Sequence, residues 1–260
     1  MNTQSPTTRF SSRVSSYTRA RPSYPDSALD ALLAAHRALH PDIPHPVIAD
    51  LGAGTGIASL QLANLSCPIY AVEPNPDMRA AMPAHPLITT ISATAESTSL
   101  PSSSIDIVLA AQAFHWFNPD DAIREFHRIL KPRALAALLW NSRNPSDPAT
   151  SAYYEAVKRH AIEPPSSPWA SATSDPIKAA RPLADSPLFT NFRYHRFSNS
   201  QSLPRELFIE RAMSASYSPS QGPAHTALIA DLNAIFDQHA RNDTFTFQYL
   251  TELHTAERAS

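Results

Sequence analysis

Cysteine is almost absent from this 260-residue sequence, in which Cys67 is the single example. One thiol excludes a disulfide within the chain and is typical of proteins in a reducing compartment. Long apolar stretches are also missing, since no run approaches the roughly 20 apolar residues that a membrane-spanning helix needs. The first ten residues are polar and lack the apolar centre of a secretory signal. We therefore expect a cytoplasmic protein that does not enter a membrane.

An excess of positive charge is missing as well. The chain has 21 lysines and arginines against 23 aspartates and glutamates, a formal net charge of −2. Proteins that bind nucleic acid neutralise phosphates with clustered lysine and arginine. The charge balance argues against nucleic acid as the main partner. Nothing in the sequence indicates an oligomeric state.

Glycine is scarce, and its placement is informative. Three of the four glycines are Gly52, Gly54 and Gly56. They follow a strand-like run at 47–51 and precede a helix-like run at 57–63, the layout of a nucleotide-type ligand site at the edge of a parallel sheet. Glycine permits a positive φ and a close ligand, and a helix start offers free N–H groups to an anion. The alternative is a tight turn with a structural role only.

Two familiar glycine motifs do not fit this turn. The dinucleotide pattern G-x-G-x-x-G/A fails because its last position is Ile57 or Ser59, and no Gly-Lys-Ser/Thr follows as a P-loop requires. The next strand-like run, 69–73, ends in Glu73, whose carboxylate can accept both hydroxyls of a ribose. The alternative for Glu73 is a solvated strand end.

The run Asp50-Leu51-Gly52-Ala53-Gly54-Thr55-Gly56, taken with Glu73, resembles the class I methyltransferases that use S-adenosyl-L-methionine (SAM). Residues 72–75, 92–96, 105–117 and 130–140 resemble, in order, that family's ribose-binding strand end, adenine loop, fourth strand with the loop under the methyl donor, and fifth strand. The segment Ala113–Phe117 is similar to the type 11 branch of small-molecule enzymes that includes trans-aconitate methyltransferase-like proteins. The resemblance covers about residues 10–145. One departure is Arg133-Ala134, where the family usually has a glycine pair.

This resemblance implies a set of cofactor-binding residues, with SAM as cofactor, S-adenosyl-L-homocysteine (SAH) as product and no metal. Asp50 would support the glycine turn, and the Ala95 backbone, or else the Glu96 carboxylate, would lie near the adenine. The implied cofactor-binding residues are Tyr17, Arg21, Asp50, Gly52, Ala53, Gly54, Thr55, Gly56, Glu73, Pro74, Met78, Ala95, Glu96, Gln112, Ala113, His115 and Trp116.

Two residues of this set, with Tyr24, form a candidate lid. Tyr17, Arg21 and Tyr24 belong to an arginine- and tyrosine-rich segment, and an arginine there can pair with the SAM carboxylate or with an acidic substrate. The alternative is an exposed basic segment.

His115 is the candidate catalytic residue. It follows the fourth strand, where the resemblance places the sulfur of the methyl donor, and histidine can take a proton near neutral pH. The alternative is a histidine that shapes the pocket without acting as a base, since a carboxylate nucleophile needs none. His36 and His40 have a helical spacing that can bind metal, but no third ligand is near in sequence, and we predict that they face solvent.

The alternation of strand-like and helix-like runs predicts an α/β protein with helices on both faces of a parallel sheet. The resemblance specifies a Rossmann-like class I methyltransferase fold with a seven-stranded, mostly parallel sheet and an antiparallel last strand. Strands are predicted at 47–51, 69–73, 87–91, 105–110, 134–140, 190–198 and 244–250. Helices are predicted at 26–39, 57–63, 119–130, 150–161, 204–215 and 223–240.

We predict a single domain, 1–260. It divides into an N-terminal lid (1–40), a SAM-binding core (45–141), a proline-rich substrate-side insertion (142–188) that is irregular apart from one short helix, and C-terminal strands and helices (189–260). The predicted function is methyl transfer from SAM to an O, C or N atom of a small molecule by in-line displacement. The alternative is a SAM-binding protein of the same fold that does not methylate. A tRNA or protein methyltransferase is disfavoured by the charge balance.

Overall fold

The computed structural model describes residues 21–162, 176–214 and 217–259. The helices are α1 (Asp26–Leu39), α2 (Ile57–Asn64), α3 (Pro76–Ala80), α4 (Pro119–Ile129), α5 (Pro148–Arg159), α6 (Pro176–Ala184), α7 (Arg205–Met213) and α8 (Gly222–His239), with a short 3-10 helix at Phe114–Trp116. The strands are β1 (Ile48–Leu51), β2 (Ile69–Val72), β3 (Ile88–Ile91), β4 (Ile105–Ala111), β5 (Leu130–Arg143), β6 (Phe189–Pro204) and β7 (Thr244–Arg258).

The strands form one seven-stranded sheet in the order β3-β2-β1-β4-β5-β7-β6. β1 pairs in parallel with β2 and β4, and β3 and β5 extend the parallel part on either side. β7 lies antiparallel between β5 and β6. The strand order reverses at β1 and β4, and the carboxyl ends of strands at such a point are where ligands bind in open α/β sheets. The predicted fold class and the antiparallel last strand are confirmed.

Two apolar clusters cover the two faces of the sheet. One face packs against α4 and α6, with Phe126 and Leu183 fully buried. The other packs against α1 and α2, with Leu32 and Leu62 fully buried. Strands buried on both faces read as continuous apolar runs, and β4 is such a run from residue 107 to residue 111. Among the described helices, none combines the length and apolar character needed to cross a membrane.

A third apolar cluster lies beyond the carboxyl edge of the sheet. The second half of β6 and the first half of β7 extend past their neighbours as an antiparallel pair. Helices α5, α7 and α8 pack on that pair around Phe208, which contacts Phe236, Phe245 and Phe247 at ring distances of 4.6–5.8 Å. This aromatic cluster forms a cap beside the edge of the sheet where β1, β2 and β4 end.

The proline-rich segment contains more regular structure than we predicted. Its first helix, α5, lies near the predicted 150–161, but α6 at 176–184 was expected to be irregular. Pro182 stands inside α6, and a proline within a helix usually argues against one. Packing outweighs that cost, because Ala180 and Leu183 are fully buried against the sheet. The division into an N-terminal lid, core, insertion and C-terminal part stays a prediction.

The fold corrects the prediction for His36 and explains the departure at Arg133. His36 does not face solvent, as we expected, but is 1% exposed, and its ring stacks on that of His40 at 5.2 Å. The apolar stripe of α1 simply extends one turn further than its leucines indicate. Arg133 adopts a left-handed backbone with φ of 60°, the conformation that suits the glycine found there in the resembled family.

Candidate cofactor site

The glycine turn connects β1 to α2 and is anchored to the end of β2. Gly52, Gly54 and Gly56 have φ values of 69°, 57° and 79°, all in the left-handed region. The Gly52 N–H and the Ala53 N–H both donate to the Val72 carbonyl, at 2.8 and 3.1 Å. The turn therefore lies directly at the carboxyl end of β2.

The three glycines have different neighbours. A Cβ on Gly52 would lie 2.7 Å from the Ala113 Cβ, and a Cβ on Gly56 would lie 2.5 Å from the Met82 Cγ. These two positions are glycine because the chain packs closely there. A Cβ on Gly54 would meet no atom within 4 Å, so the middle of the turn borders open space in which a ligand can approach the backbone.

Glu73 lies at the end of β2 and is 8% exposed. Its Oε2 accepts a hydrogen bond from the Gly54 N–H at 2.9 Å, and its Oε1 accepts one from the Asn75 N–H at 2.8 Å. Burial raises the pKa of Glu73, against the opposing effect of these two donors and of Arg79. Each carboxylate oxygen keeps a second acceptor position, so the side chain can receive two more hydroxyl groups.

Two buried oxygen atoms beside the turn have no hydrogen-bond partner among the described residues. Asp50 is 1% exposed, and its Oδ2 accepts from the Ser59 hydroxyl at 2.6 Å, whereas its Oδ1 has no donor. Thr55 Oγ1 is likewise unsatisfied. Burial raises the pKa of Asp50 to about 6, with the nearby Glu73 adding to the effect and Ser59 opposing it. Unsatisfied buried polar atoms are rare and mark places where a ligand or water completes the site.

Pro74 and Met78 are held next to Glu73 by the start of α3. The Asn75 side chain accepts from the N–H groups of Asp77 and Met78 at 2.8 and 3.1 Å and so caps this short helix. Met78 is 5% exposed. Pro74 links the capping residue to the strand end, which fixes the direction in which the chain leaves Glu73.

Ala95 and Glu96 lie in the loop after β3. Ala95 is 3% exposed, and Glu96 Oε1 accepts from the Asn118 N–H at 2.9 Å, at the start of α4. This contact was not foreseen, because Asn118 is 22 residues away and neither residue belongs to a motif that links the two. One oxygen of Glu96 thus ties the loop after β3 to the segment after β4.

Gln112, Ala113, His115 and Trp116 follow β4. Gln112 has a left-handed backbone with φ of 55°, and its Nε2 donates to the Asn141 carbonyl at 3.0 Å. Ala113 is the residue that approaches Gly52, so the 3-10 helix that carries His115 begins beside the glycine turn. The His115 and Trp116 rings lie 5.3 Å apart, and burial lowers the pKa of His115 to about 4.

The N-terminal segment crosses the same edge of the sheet. The Tyr24 N–H donates to the Gln61 side chain of α2 at 2.9 Å, and the Ser23 carbonyl accepts from the side chains of Asn141 and Asn199 at 3.1 and 2.8 Å. Tyr17 lies outside the described residues. Arg21 lines a cavity of about 60 Å³ whose lining includes no residue of the glycine turn.

That cavity is a feature that the sequence did not suggest. Arg21, Tyr154, Arg211 and Tyr217 line it, and they come from three separate parts of the chain with no shared motif. No sequence signal marks them as a group. Within the described ranges, no three histidine, cysteine, aspartate or glutamate side chains are grouped so that they could hold a metal ion.

Comparison with known proteins matches part of the chain to a known domain. The profile of a family described as "Methyltransferase domain" matches residues 49–138, which run from β1 to β5. An uncharacterized methyltransferase of Mycobacterium tuberculosis is 42% identical over 141 residues, covering 52% of this chain and 53% of that protein. The chain thus spans about half the length of the curated relatives it matches.

Solved structures match over more of the chain. A candidate type II methyltransferase of Anaeromyxobacter dehalogenans has a TM-score of 0.54 at 23% identity, covering 92% of this chain and 96% of that one. Phosphoethanolamine N-methyltransferase 2 of Haemonchus contortus, solved with SAM, has a TM-score of 0.53 at 14% identity, covering 98% of this chain and 59% of that one. At these identities the structures establish the fold. Residues 49–138 thus match a methyltransferase domain, and the seven-stranded sheet has the fold of these solved structures.

Proposed function

We propose that the protein is a SAM-dependent methyltransferase that acts on a small molecule. The observation that carries the proposal is the hydrogen bond from the Gly54 N–H to Glu73 Oε2, at 2.9 Å, beside the open space that borders Gly54. It brings the two residue types of a nucleoside site together at the point where the strand order reverses. The solved complex of the Haemonchus contortus protein with SAM supports the choice of cofactor.

The residues beside the glycine turn fit SAM. Glu73 has acceptor positions for the two ribose hydroxyls, as argued above. The unsatisfied Asp50 Oδ1 and Thr55 Oγ1 suit the charged amino-acid end of the cofactor. The buried negative charges of Asp50 and Glu73 favour a ligand with a positive charge, and the open side of Gly54 lets it approach the backbone. Ala95, Ala113 and Trp116 are proposed to line the remainder of this pocket.

When bound, SAM supplies a methyl group already activated by the neighbouring sulfonium. The protein then has to hold the acceptor in line and keep water out. His115 suits this task, because burial keeps its imidazole uncharged at neutral pH, and a neutral ring adds no repulsion beside a cation. We propose that it accepts a hydrogen bond from the acceptor and receives its proton when the nucleophile is a hydroxyl or an amine.

The methyl-transfer step is tested by incubating the protein with SAM labelled in the methyl group and with panels of small carboxylic acids, phenols and amines. Labelled product together with an equal amount of SAH is the expected result. Binding of SAM with no labelled product from any panel would contradict the proposal and support the alternative, a SAM-binding protein that does not methylate.

His115 is tested in the same assay. A His115→Gln variant keeps a polar side chain of similar length but cannot take a proton. We expect its turnover to fall by about 10²-fold or more with a hydroxyl acceptor, and far less with a carboxylate acceptor. If the substitution lowers turnover by the same factor with both kinds of acceptor, His115 only shapes the pocket.

A further inference from the structure

The cap beside the sheet edge contains an unusual group of arginine and tyrosine side chains. The Arg211 Nη2 donates to the Tyr154 hydroxyl at 3.2 Å, and its guanidinium lies 5.6 Å from the centre of the Tyr249 ring. Arg143 lies over the other tyrosine, 5.5 Å from the centre of the Tyr154 ring. Arg143 and Tyr249 are directly paired between β5 and β7. Two arginines and two tyrosines therefore form a closed ring of contacts.

Two members of this ring, Tyr154 and Arg211, line the cavity of about 60 Å³ described above. Arg21, Arg211, Tyr153, Tyr154, Tyr217 and Ser214 supply its polar lining, and the two other lining residues are apolar. The lining has two guanidinium groups and four hydroxyls and no carboxylate. The Tyr153 and Ser214 hydroxyls donate to the carbonyls of Phe208 and Arg211, so the donors that face the cavity are chiefly those of the two guanidinium groups. Guanidinium groups beside a small space without a carboxylate are the chemistry that binds an oxyanion.

Three arginines act electrostatically on Tyr154, a residue of the cavity lining. Burial raises the pKa of Tyr154, but Arg211, Arg21 and Arg143 together reverse that effect and hold the pKa below its ordinary value. Arg143 is exposed, and no carboxylate of the described residues lies within ion-pair distance of it. A positive potential in a partly enclosed site attracts anions more strongly than the same charges in open water.

The cavity and the glycine turn share one edge of the sheet. Asn141, two residues before Arg143 on β5, accepts through its carbonyl from the Gln112 side chain at the end of β4. Residues 21–24 make the second connection, since Arg21 lines the cavity while Tyr24 bonds to Gln61 of α2. A molecule with one end in the cavity can therefore extend toward the turn.

We propose that this cavity binds an oxyanion of the methyl acceptor, so that the substrates are acidic small molecules carrying a carboxylate or a phosphate. The inference rests on the proposed function, because only a methyltransferase has an acceptor to bind. The specificity-determining residues are Arg211, which lines the cavity, and Arg143, which lies over the ring of the lining residue Tyr154.

The test is calorimetric titration of the SAH-saturated protein with benzoate, phenyl phosphate and the neutral analogue benzamide. We expect at least one of the anions to bind about tenfold or more tightly than benzamide, as charge-assisted hydrogen bonds predict. The anion that binds more tightly shows whether the cavity prefers a carboxylate or a phosphate group. Equal binding of benzamide and both anions, or no binding of any probe, would overturn the inference.

Variants locate the binding. Arg143→Met changes an exposed side chain and should weaken anion binding by about tenfold without changing SAH affinity. Arg205→Met is the matched control, because Arg205 also lies over an aromatic ring, on the same helix as Arg211, but that ring belongs to Phe236, which does not line the cavity. Anion affinity equal to wild type in both Arg143→Met and Arg211→Met would contradict the proposal. Anion binding by a protein that binds neither SAM nor SAH would instead contradict the proposed function.

Discussion

The Gly54 N–H donates to Glu73 Oε2 at 2.9 Å, which joins the glycine turn after β1 to the end of β2. The residues are 19 positions apart, and the parallel pairing of β1 with β2 brings them together. The contact fixes the carboxylate beside the open side of Gly54. A ligand that reaches the turn therefore meets a preoriented acid.

Glu73→Gln tests the role of that acid. The N–H groups of Gly54 and Asn75 each donate to one oxygen of the Glu73 carboxylate. In the variant an amide NH₂ group replaces one of these oxygens, so one of the two N–H groups faces another donor. We expect SAH affinity to fall by about tenfold or more, and the free energy of unfolding to fall by about 1–2 kcal/mol, because a buried donor loses its acceptor. Calorimetry and urea unfolding measure the two effects. Glu206→Gln on the exposed side of α7 is the control, and unchanged SAH affinity in Glu73→Gln would contradict the assignment.

Asp50 predicts a pH dependence of SAM binding. Because its pKa is raised to about 6, Asp50 is ionised at pH 7.5 and takes up a proton as the pH falls through 6. The protonated acid no longer attracts a cationic ligand, so SAM affinity should fall between pH 7 and pH 5, by at most about tenfold per pH unit. Asp50→Asn should bind SAM more weakly at pH 7.5 and lose this dependence. If SAM affinity of the Asp50→Asn variant follows the same pH profile as that of wild type, titration of Asp50 does not cause the dependence.

His254 predicts a pH dependence of stability. It is fully buried among Trp140, Tyr194 and Phe192, and neither ring nitrogen has a hydrogen-bond partner among the described residues. Burial lowers its pKa to about 4. Between pH 6.5 and about pH 4, His254 is protonated in the unfolded chain but not in the folded protein. The contribution of His254 to stability is therefore full above pH 6.5 and is lost as the pH falls through this range.

The measurement is urea unfolding of wild type and His254→Phe at several pH values. The difference in unfolding free energy should shift in favour of the variant by up to about 1.4 kcal/mol per pH unit between pH 6.5 and 4. Comparing the two proteins cancels the contributions of Asp50 and His115, which titrate in both. A difference that is constant across this range would show that His254 does not titrate in this way.

Arg133 offers a test of backbone strain. Its left-handed φ of 60° costs about 1–2 kcal/mol in a non-glycine residue. Glycine would remove this strain, but the greater conformational freedom of glycine in the unfolded chain offsets part of the gain. Arg133→Gly should therefore stabilise the protein by about 0.5–1 kcal/mol. Arg133→Ala keeps the strain and should give no gain. Equal stabilities of the glycine and alanine variants would contradict the strain argument.

The sequence predicted the parts of the site that are local in the chain. The clustered glycines marked the turn because few glycines occur elsewhere, and the continuous apolar run of β4 marked a central strand. It did not predict the arginine and tyrosine cavity, because Arg21, Tyr154 and Arg211 meet only through the packing of the cap. The α6 helix was missed for a related reason, since its stability comes from burial of Leu183 and not from local preference.

The most direct test of the account is calorimetric titration of SAM and SAH into three proteins: wild type, Gly54→Arg and Gly222→Arg. Gly54 and Gly222 both have a positive φ and open space where a Cβ would lie, so arginine imposes similar strain at each, but Gly222 lies at the start of α8. We expect wild type and Gly222→Arg to bind both compounds, and a folded Gly54→Arg to bind neither. Undiminished binding by Gly54→Arg, or no binding by folded wild type, would contradict the assignment of the glycine turn as the SAM site.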